Sequence, residues 1–349
     1  RGLGDVYKRQ DQRRRRLMRI ATYNVEWFSN LFDNEGNLLD DDEWSGRHDV
    51  RRHEQIEALA IVFTALDADA VMIIEAPDSH RRRDGLAALE GFAGTVGLRA
   101  KKAIMGFVNQ TQQEIALLYD PDCLSASHDP VGHPRFDAAY DIDLDVDAEP
   151  ERVRWSKPPL ELALTTAAGT KMRMIGVHAK SKAPHGARSP EAIMRIAIEN
   201  RRKQLAQCIW LRERVEDHLD AGESLIVLGD FNDGPGLDEY EKLFGRSGVE
   251  IVLGDQDEIQ LHDPHAKALV SRHLGEMMPT SARFWMADQN RWMEALLDYV
   301  MVSPELQDKA RDWRIWHPFD DPACYRTPEL REALLTASDH FPVSVEIDV

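Results

Sequence analysis

Sulfur is scarce in this chain. Its three cysteines, Cys123, Cys208 and Cys324, are scattered without a CxxC pair, which excludes a disulfide framework and a thiolate zinc site and leaves three reduced structural thiols. No apolar run approaches the roughly 18 residues that a membrane-spanning helix needs, and the N-terminal stretch lacks the apolar middle of a secretory signal. These absences lead us to expect a cytoplasmic protein. No Pro/Gly linker divides the 349 residues, which favours one domain over two. Positive charge is short as well: 43 Lys and Arg face 61 Asp and Glu, for a net charge of −18. Seven of those cations lie in residues 1–17 beside only Asp5 and Asp11, so the balance from Met18 onward is −23. Such a surface repels polyanions at long range, and no basic stretch with interleaved aromatics follows Met18, so a grip on duplex DNA needs a local patch that overrides the net charge.

Enough apolar residues remain, 43% of the chain, to bury a full core. Residues 1–17 show no hydrophobic period and read as a disordered tail or read-through scar, with a basic nucleic-acid arm as the other reading. Residues 18–349 form the expected domain. Short β-branched or apolar runs at 19–25, 70–74, 114–119, 160–165, 172–177, 225–228, 297–302 and 341–347 predict strands. Helices are predicted over 51–66 and from Ser189-Pro190-Glu191, a hydroxyl cap with proline at the first helical position, to about Leu219. Strand and helix interleave, the pattern of an α/β domain. Two segments read as insertions. Residues 137–151 alternate acids with Ile142, Leu144 and Val146, which suits an edge strand better than a calcium loop. Residues 240–290 hold His262, His265, His273 and Trp285 at spacings that match no metal site and are expected to pack a small cluster of their own.

Several strands end in residues that carry chemistry. Leu225-Ile-Val-Leu-Gly-Asp230-Phe-Asn232-Asp233 runs from a buried strand into a carboxylate and a carboxamide, and a period of two places Asp230 and Asn232 on one face, where an ionised Asp beside a neutral amide can hold and deprotonate a water. A plain turn would use the same residue types. The last strand is entered through Ser338-Asp339-His340, and another begins at Leu297-Asp298-Tyr299. Asp298 can fix the tautomer of His340 and hold it cationic if those strands are neighbours. Three more runs end in Asn24-Val-Glu26, Glu75 and His178. Ligands of α/β folds bind at such ends.

Taken in order, Ile20-Ala-Thr-Tyr-Asn24-Val-Glu26, Glu75, His178-Ala-Lys180-Ser181, Gly229-Asp230-Phe-Asn232-Asp233, Asp298-Tyr299 and Ser338-Asp339-His340 resemble the endonuclease/exonuclease/phosphatase superfamily with the deoxyribonuclease-I-like fold. The resemblance spans 18–349. It implies a four-layered α/β sandwich, two mixed β-sheets packed face to face and flanked by helices. It implies a hydrolase of phosphate esters, with Glu75 as chief metal ligand and Asn24 and Asp339 nearby. Asp230 and Asn232 would orient or activate water, His340 held by Asp298 would stabilise charge on the phosphoryl oxygens, and His178 would be a second phosphate contact or a proton donor to the leaving oxygen. Such oxygen ligands suit Mg²⁺, with Mn²⁺ possible in its place, better than zinc. Glu26 could hold a metal-bound water or simply be solvated. Lys180, Lys182 and Arg188 could clamp substrate phosphate or belong to a solvated loop. Arg154 and Lys157 resemble a basic position ahead of the strand at 160–165. The substrate reading is a nuclease-type phosphodiesterase, with nucleic acid as partner, ahead of an enzyme for small or lipid phosphates of the inositol phosphate or sphingomyelin type, and further ahead of a catalytically inactive binding domain. Trp27, Phe28, Trp44, Trp285, Trp292, Trp313 and Trp316 could stack bases, although buried core positions are the commoner fate of tryptophan.

Overall fold

Which face of each strand is apolar decides the layering. The computed structural model describes residues 17–349 except 110, 112, 143–150, 185, 187–188, 238–240, 272–277 and 287–289. Strands are numbered along the chain. A six-stranded sheet has the order β14 (Ala310–Ile315), β15 (Val343–Asp348), β1 (Leu17–Asn24), β2 (Ala70–Ala76), β4 (Glu114–Tyr119), β3 (Lys102–Met105). A five-stranded sheet has the order β13 (Asp298–Val302), β10 (Leu225–Asp230), β9 (Lys171–His178), β8 (Leu160–Thr166), β5 (Leu124–His128). In β2, Met72 and Ile74 face the other sheet, whereas Val71 and Ile73 face outward onto the helices α1 (Arg52–Leu66), α2 (Gly85–Val96) and α4 (Pro328–Ala337). In β10, Ile226 and Leu228 point inward, and Leu225 and Val227 point outward onto the long helix α3 (Pro190–Asp220). Period-two strands that are apolar on both faces give the four-layered α/β sandwich, with two mixed sheets face to face and helices outside. The inner faces come close at Gly176, where a Cβ would lie 2.4 Å from Sδ of Met72.

β1 pairs in parallel with β2, and β9 with β10, whereas the other neighbours in both sheets are antiparallel. The C-terminal ends of the two parallel pairs therefore open at the same edge of the sandwich, and this positions the site. All eight expected strands are present. β1 begins at Leu17, whose partner is Asp348, one residue before the expected domain start. The helix from Ser189 is capped as expected, its hydroxyl accepting from Ala192 N.

The strands β3, β5 and β14, unforeseen in the sequence, are short or polar edge elements; β3 and β14 lack the alternation that betrays a half-buried strand, and in β5 it runs for only five residues. The first insertion folds differently from expectation, and the second only in part. In the first, β6 (Tyr140–Ile142) pairs with β7 (Glu151–Val153) as a separate ribbon packed on Ala206 of α3, not as an edge of either sheet. Leu144 and Val146 lie outside the described residues. In the second, the short helices Gly248–Leu253 and Pro264–Val270 bring Val249, Val252, Ala266 and Leu269 into the α3 core, whereas Ala282 and Phe284 pack a small separate cluster with Ala295 and Leu297. His273 lies outside the described residues. Near the end of that insertion, β11 (Ala282–Met286) pairs with β12 (Arg291–Ala295) as a ribbon beside the site.

Candidate active site

Glu75 reaches the site through a backbone irregularity. β2 pairs with β4 in register as far as Ile74–Ile115 and then skips to Ala76–Glu114, so Glu75 is the extra residue of a bulge, with φ of +64°. A left-handed non-glycine residue of this kind costs on the order of 1–3 kcal/mol and re-aims a side chain. Here it turns the carboxylate into a cavity of about 590 Å³ at the open edge of the sandwich. The wall of that cavity includes Asn24, Glu26, Glu75, His178, Lys180, Asp230, Asn232, Asp339 and His340, so nine of the twelve expected residues meet in one place. Asp298 stands directly behind His340. Lys182 does not line the cavity: its ammonium pairs with the buried carboxylate of Asp233. Arg188 lies outside the described residues, and Arg154 is exposed and not part of the wall.

Asp230 and Asn232 converge, but not through strand periodicity. β10 stops at Asp230, and Asn232 has φ of +50°. In that left-handed turn its N–H donates to Oδ1 of Asp230 at 2.7 Å and its Nδ2 to Oδ2 at 3.0 Å. Asn24 Nδ2 donates to the same Oδ2 at 3.0 Å. Gly229 makes the approach possible, since a Cβ there would lie 2.0 Å from Val177 O in β9. Burial raises the Asp230 carboxyl to about 7; His340 opposes the shift and Asp298 adds to it.

His340 Nδ1 lies 2.7 Å from Oδ2 of Asp298. The condition set for this pair, neighbouring strands, is not met within a sheet: Asp298 begins β13 and His340 leads into β15, which belong to opposite sheets, so the pair bridges them. Burial works against the imidazolium, but the charge and hydrogen bond of Asp298, with Asp230 and Asp339 beyond, hold His340 well above the ordinary histidine range. Ser281, which carries no sequence signal, donates to Oδ2 of Asp298 at 2.7 Å and accepts from Asp298 N at 2.9 Å. His178 is the opposite case. Burial, with Lys157 and His340 adding to it, pushes it well below the usual value, so it is a neutral imidazole. Lys157 Nζ sits 3.1 and 3.2 Å from the two ring nitrogens of His178 and belongs to the cavity wall, as do Trp27 and Phe284.

Acidic groups crowd the other side. Burial and then the charge of Asp339 raise Glu26 to about 7, although Arg47 pairs with it. Burial likewise raises Glu75, against Lys157 and His340. Asn24 is 3% exposed, and its Oδ1 has no hydrogen-bond partner among the described residues. An unpaired buried oxygen beside carboxyls that resist ionisation fits a divalent cation, whose charge would reverse those shifts. The donors Asn24, Glu26, Glu75 and Asp339 are all hard oxygens, as Mg²⁺ or Mn²⁺ requires.

A sequence profile of the Endonuclease/Exonuclease/phosphatase family matches residues 21–340. The chain belongs to that family. Its members are hydrolases that act on phosphate esters and depend on a divalent metal. No curated protein is a significant match to the chain. Among solved structures, humanised D. rerio TDP2 is 12% identical, with 95% of this chain and 99% of that one covered at a TM-score of 0.50. A family protein of Bacteroides thetaiotaomicron is 16% identical, with 95% of each chain covered at 0.48. The human nocturnin catalytic domain with bound sulfate is 15% identical, with 95% and 93% covered at 0.46. At 12% identity the first of these speaks for the fold alone, and no argument rests on the other two. Among the described residues of the chain no helix is long and apolar enough to cross a membrane.

Proposed function

We propose that the chain is a nuclease-type phosphodiesterase that hydrolyses its ester with an activated water. One observation carries the reading: a single cavity sets Asp230, gripped by Asn24 and Asn232, together with a histidine held cationic by Asp298. A buried carboxyl gripped in one orientation by two amides is placed to accept a proton from water. Glu75, Asn24 and Asp339, with Glu26 on a bound water, would hold Mg²⁺ or Mn²⁺, which when bound polarises the phosphoryl oxygen and offsets developing charge. The Nε2–H of His340 donates to a phosphoryl oxygen. Neutral His178 offers one N–H to the leaving oxygen or to the phosphate, and Lys157 and Lys180 add positive charge to the same wall. Lys182 is assigned to Asp233 instead of substrate, and no covalent nucleophile is required. The three buried free thiols accord with a cytoplasmic location.

Exposed aromatics favour a nucleic-acid substrate. Trp27, on the cavity wall, is 45% exposed, and the cross-strand pair Trp285 and Trp292 of the β11–β12 ribbon is 47% and 50% exposed. Arg283 stacks 4.2 Å over Trp292, and the ribbon is tied to the site by the bond from Arg283 N to Asp339 O at 2.7 Å. Such rings stack bases without regard to sequence. Phe28 and Trp316, by contrast, are core residues. The second reading, a hydrolase for small or lipid phosphates, keeps the same chemistry. Single-stranded and duplex oligonucleotides, inositol phosphates, sphingomyelin and a chromogenic phosphodiester, each with Mg²⁺, Mn²⁺ or EDTA, separate the two. Cleavage of oligonucleotides that EDTA abolishes supports the nuclease, and turnover confined to the small or lipid esters overturns it.

A further inference from the structure

Helix α3 buries amides where a helix lying on a sheet ordinarily buries apolar side chains. Asn200, Gln204 and Gln207 are 9%, 0% and 3% exposed, and their spacing of four and three residues places them on one stripe. Together they reach three loops. Asn200 Nδ2 donates to Ala183 O at 3.0 Å, and Gln204 Nε2 donates to the carbonyls of Phe231 and Asn232 at 3.0 and 2.9 Å. Gln207 accepts from Lys180 N at 2.9 Å and donates to Arg154 O at 3.2 Å. Buried amides cost free energy unless bonded, and an apolar stripe would fasten the helix at least as well. What leucines could not do is fix the main chain of three segments that carry Lys157, Lys180 and the Asp230–Asn232 turn.

We propose that this stripe is a positioning device for the site and that Gln204 is its central positioning residue; the link to catalysis rests on the phosphodiesterase reading given above. Asn232 reaches both oxygens of Asp230 only from a left-handed turn, which a non-glycine residue does not prefer. The two bonds from Gln204 hold both carbonyls of that turn and so set the direction in which Asp230 faces the cavity. Gln204→Met keeps the volume and removes both bonds. With bis(p-nitrophenyl) phosphate and Mn²⁺, kcat is expected to fall about 10- to 100-fold while KM changes less than about threefold. Gln207→Met, which releases Lys180, is expected to act mainly on KM. Amide hydrogen exchange reads the same turn without turnover: protection of the Asn232 N–H is expected to drop at least about tenfold in Gln204→Met while that of Val227 in β10 holds. Unchanged exchange at Asn232, or an equal loss at Val227, overturns the positioning role. A loss of kcat no greater than the loss of folded protein overturns its link to the chemistry. A wild-type protein inert on every ester would sink the functional reading, and the exchange result would still decide whether Gln204 holds the turn.

Discussion

The two ends of β2 carry acidic clusters of opposite fate. At its N-terminal end, Asp69 and Asp120 lie beside Cys123, and Arg99 Nη1 reaches both carboxylates, at 2.7 and 3.2 Å. Burial would raise Asp120, but hydrogen bonds from Cys123 and the Asp122 amide, with Arg99, outweigh it and hold the carboxyl below its usual value. Cys123 is pushed up to about 12 by burial and then by those carboxylates, so it is inert. At the C-terminal end Glu26, Glu75 and Asp230 are all pushed upward by burial. Arg47 and Lys157 ease that strain without removing it. A cluster closed by an internal cation contributes stability; in the proposed reading, one left short of positive charge receives it from a metal and a substrate.

The largest effect that should separate the two ends is on turnover. Asp230→Asn or His340→Gln is expected to lower kcat by about 10²- to 10⁴-fold with the fold intact, as steady-state kinetics beside far-ultraviolet circular dichroism would record; turnover within tenfold of wild type would mean that the site is misassigned. Arg99→Ala should do the reverse, costing about 2 kcal/mol of stability, a few degrees of melting temperature, with kcat per folded molecule unchanged. Trp285→Ala is expected to raise KM for a single-stranded oligonucleotide by about 5- to 100-fold and to leave a chromogenic diester untouched.

A smaller effect sharpens the contrast through pH. Asp230 has a folded value near 7, above the unfolded carboxyl at about 4. Between those values the native state holds more protons, so the metal-free protein loses stability as pH rises through that window. Asp230→Asn in EDTA should therefore melt higher than wild type at pH 8, and the gap should close toward pH 5. Asp120 runs the other way: its depressed carboxyl adds stability above the unfolded value, and this is lost as pH falls through the folded one. In Arg99→Ala that acid-side loss should shrink. Equal melting curves for Asp230→Asn and wild type at pH 8 would contradict the account.

Much of this arrangement is legible in the sequence because it rests on buried strands that run straight into polar residues. Nine strand-end and loop residues expected in the site do line one cavity, since a parallel pair in each sheet aims its end the same way. Less legible is how they get there. The bulge at Glu75 and the left-handed turn at Asn232 depend on pairing partners distant in the chain, and no local spacing encodes them. Ser281 and Gln204 act through contacts that only the packed fold creates. Lys182 shows the limit from the other side: its place in a basic loop suggested phosphate, but it is the neighbouring buried Asp233 that claims it. The β11–β12 ribbon escaped notice because its exposed tryptophans look like core residues in a linear sequence.

A crystal structure of the protein grown with Mn²⁺ and phosphate tests the central claim most directly. The account predicts one anomalous peak between Glu75 and Asn24 Oδ1, with a phosphate oxygen on Nε2 of His340. Manganese lodged at Asp69 and Asp120 instead, or phosphate bound away from His340, would contradict it.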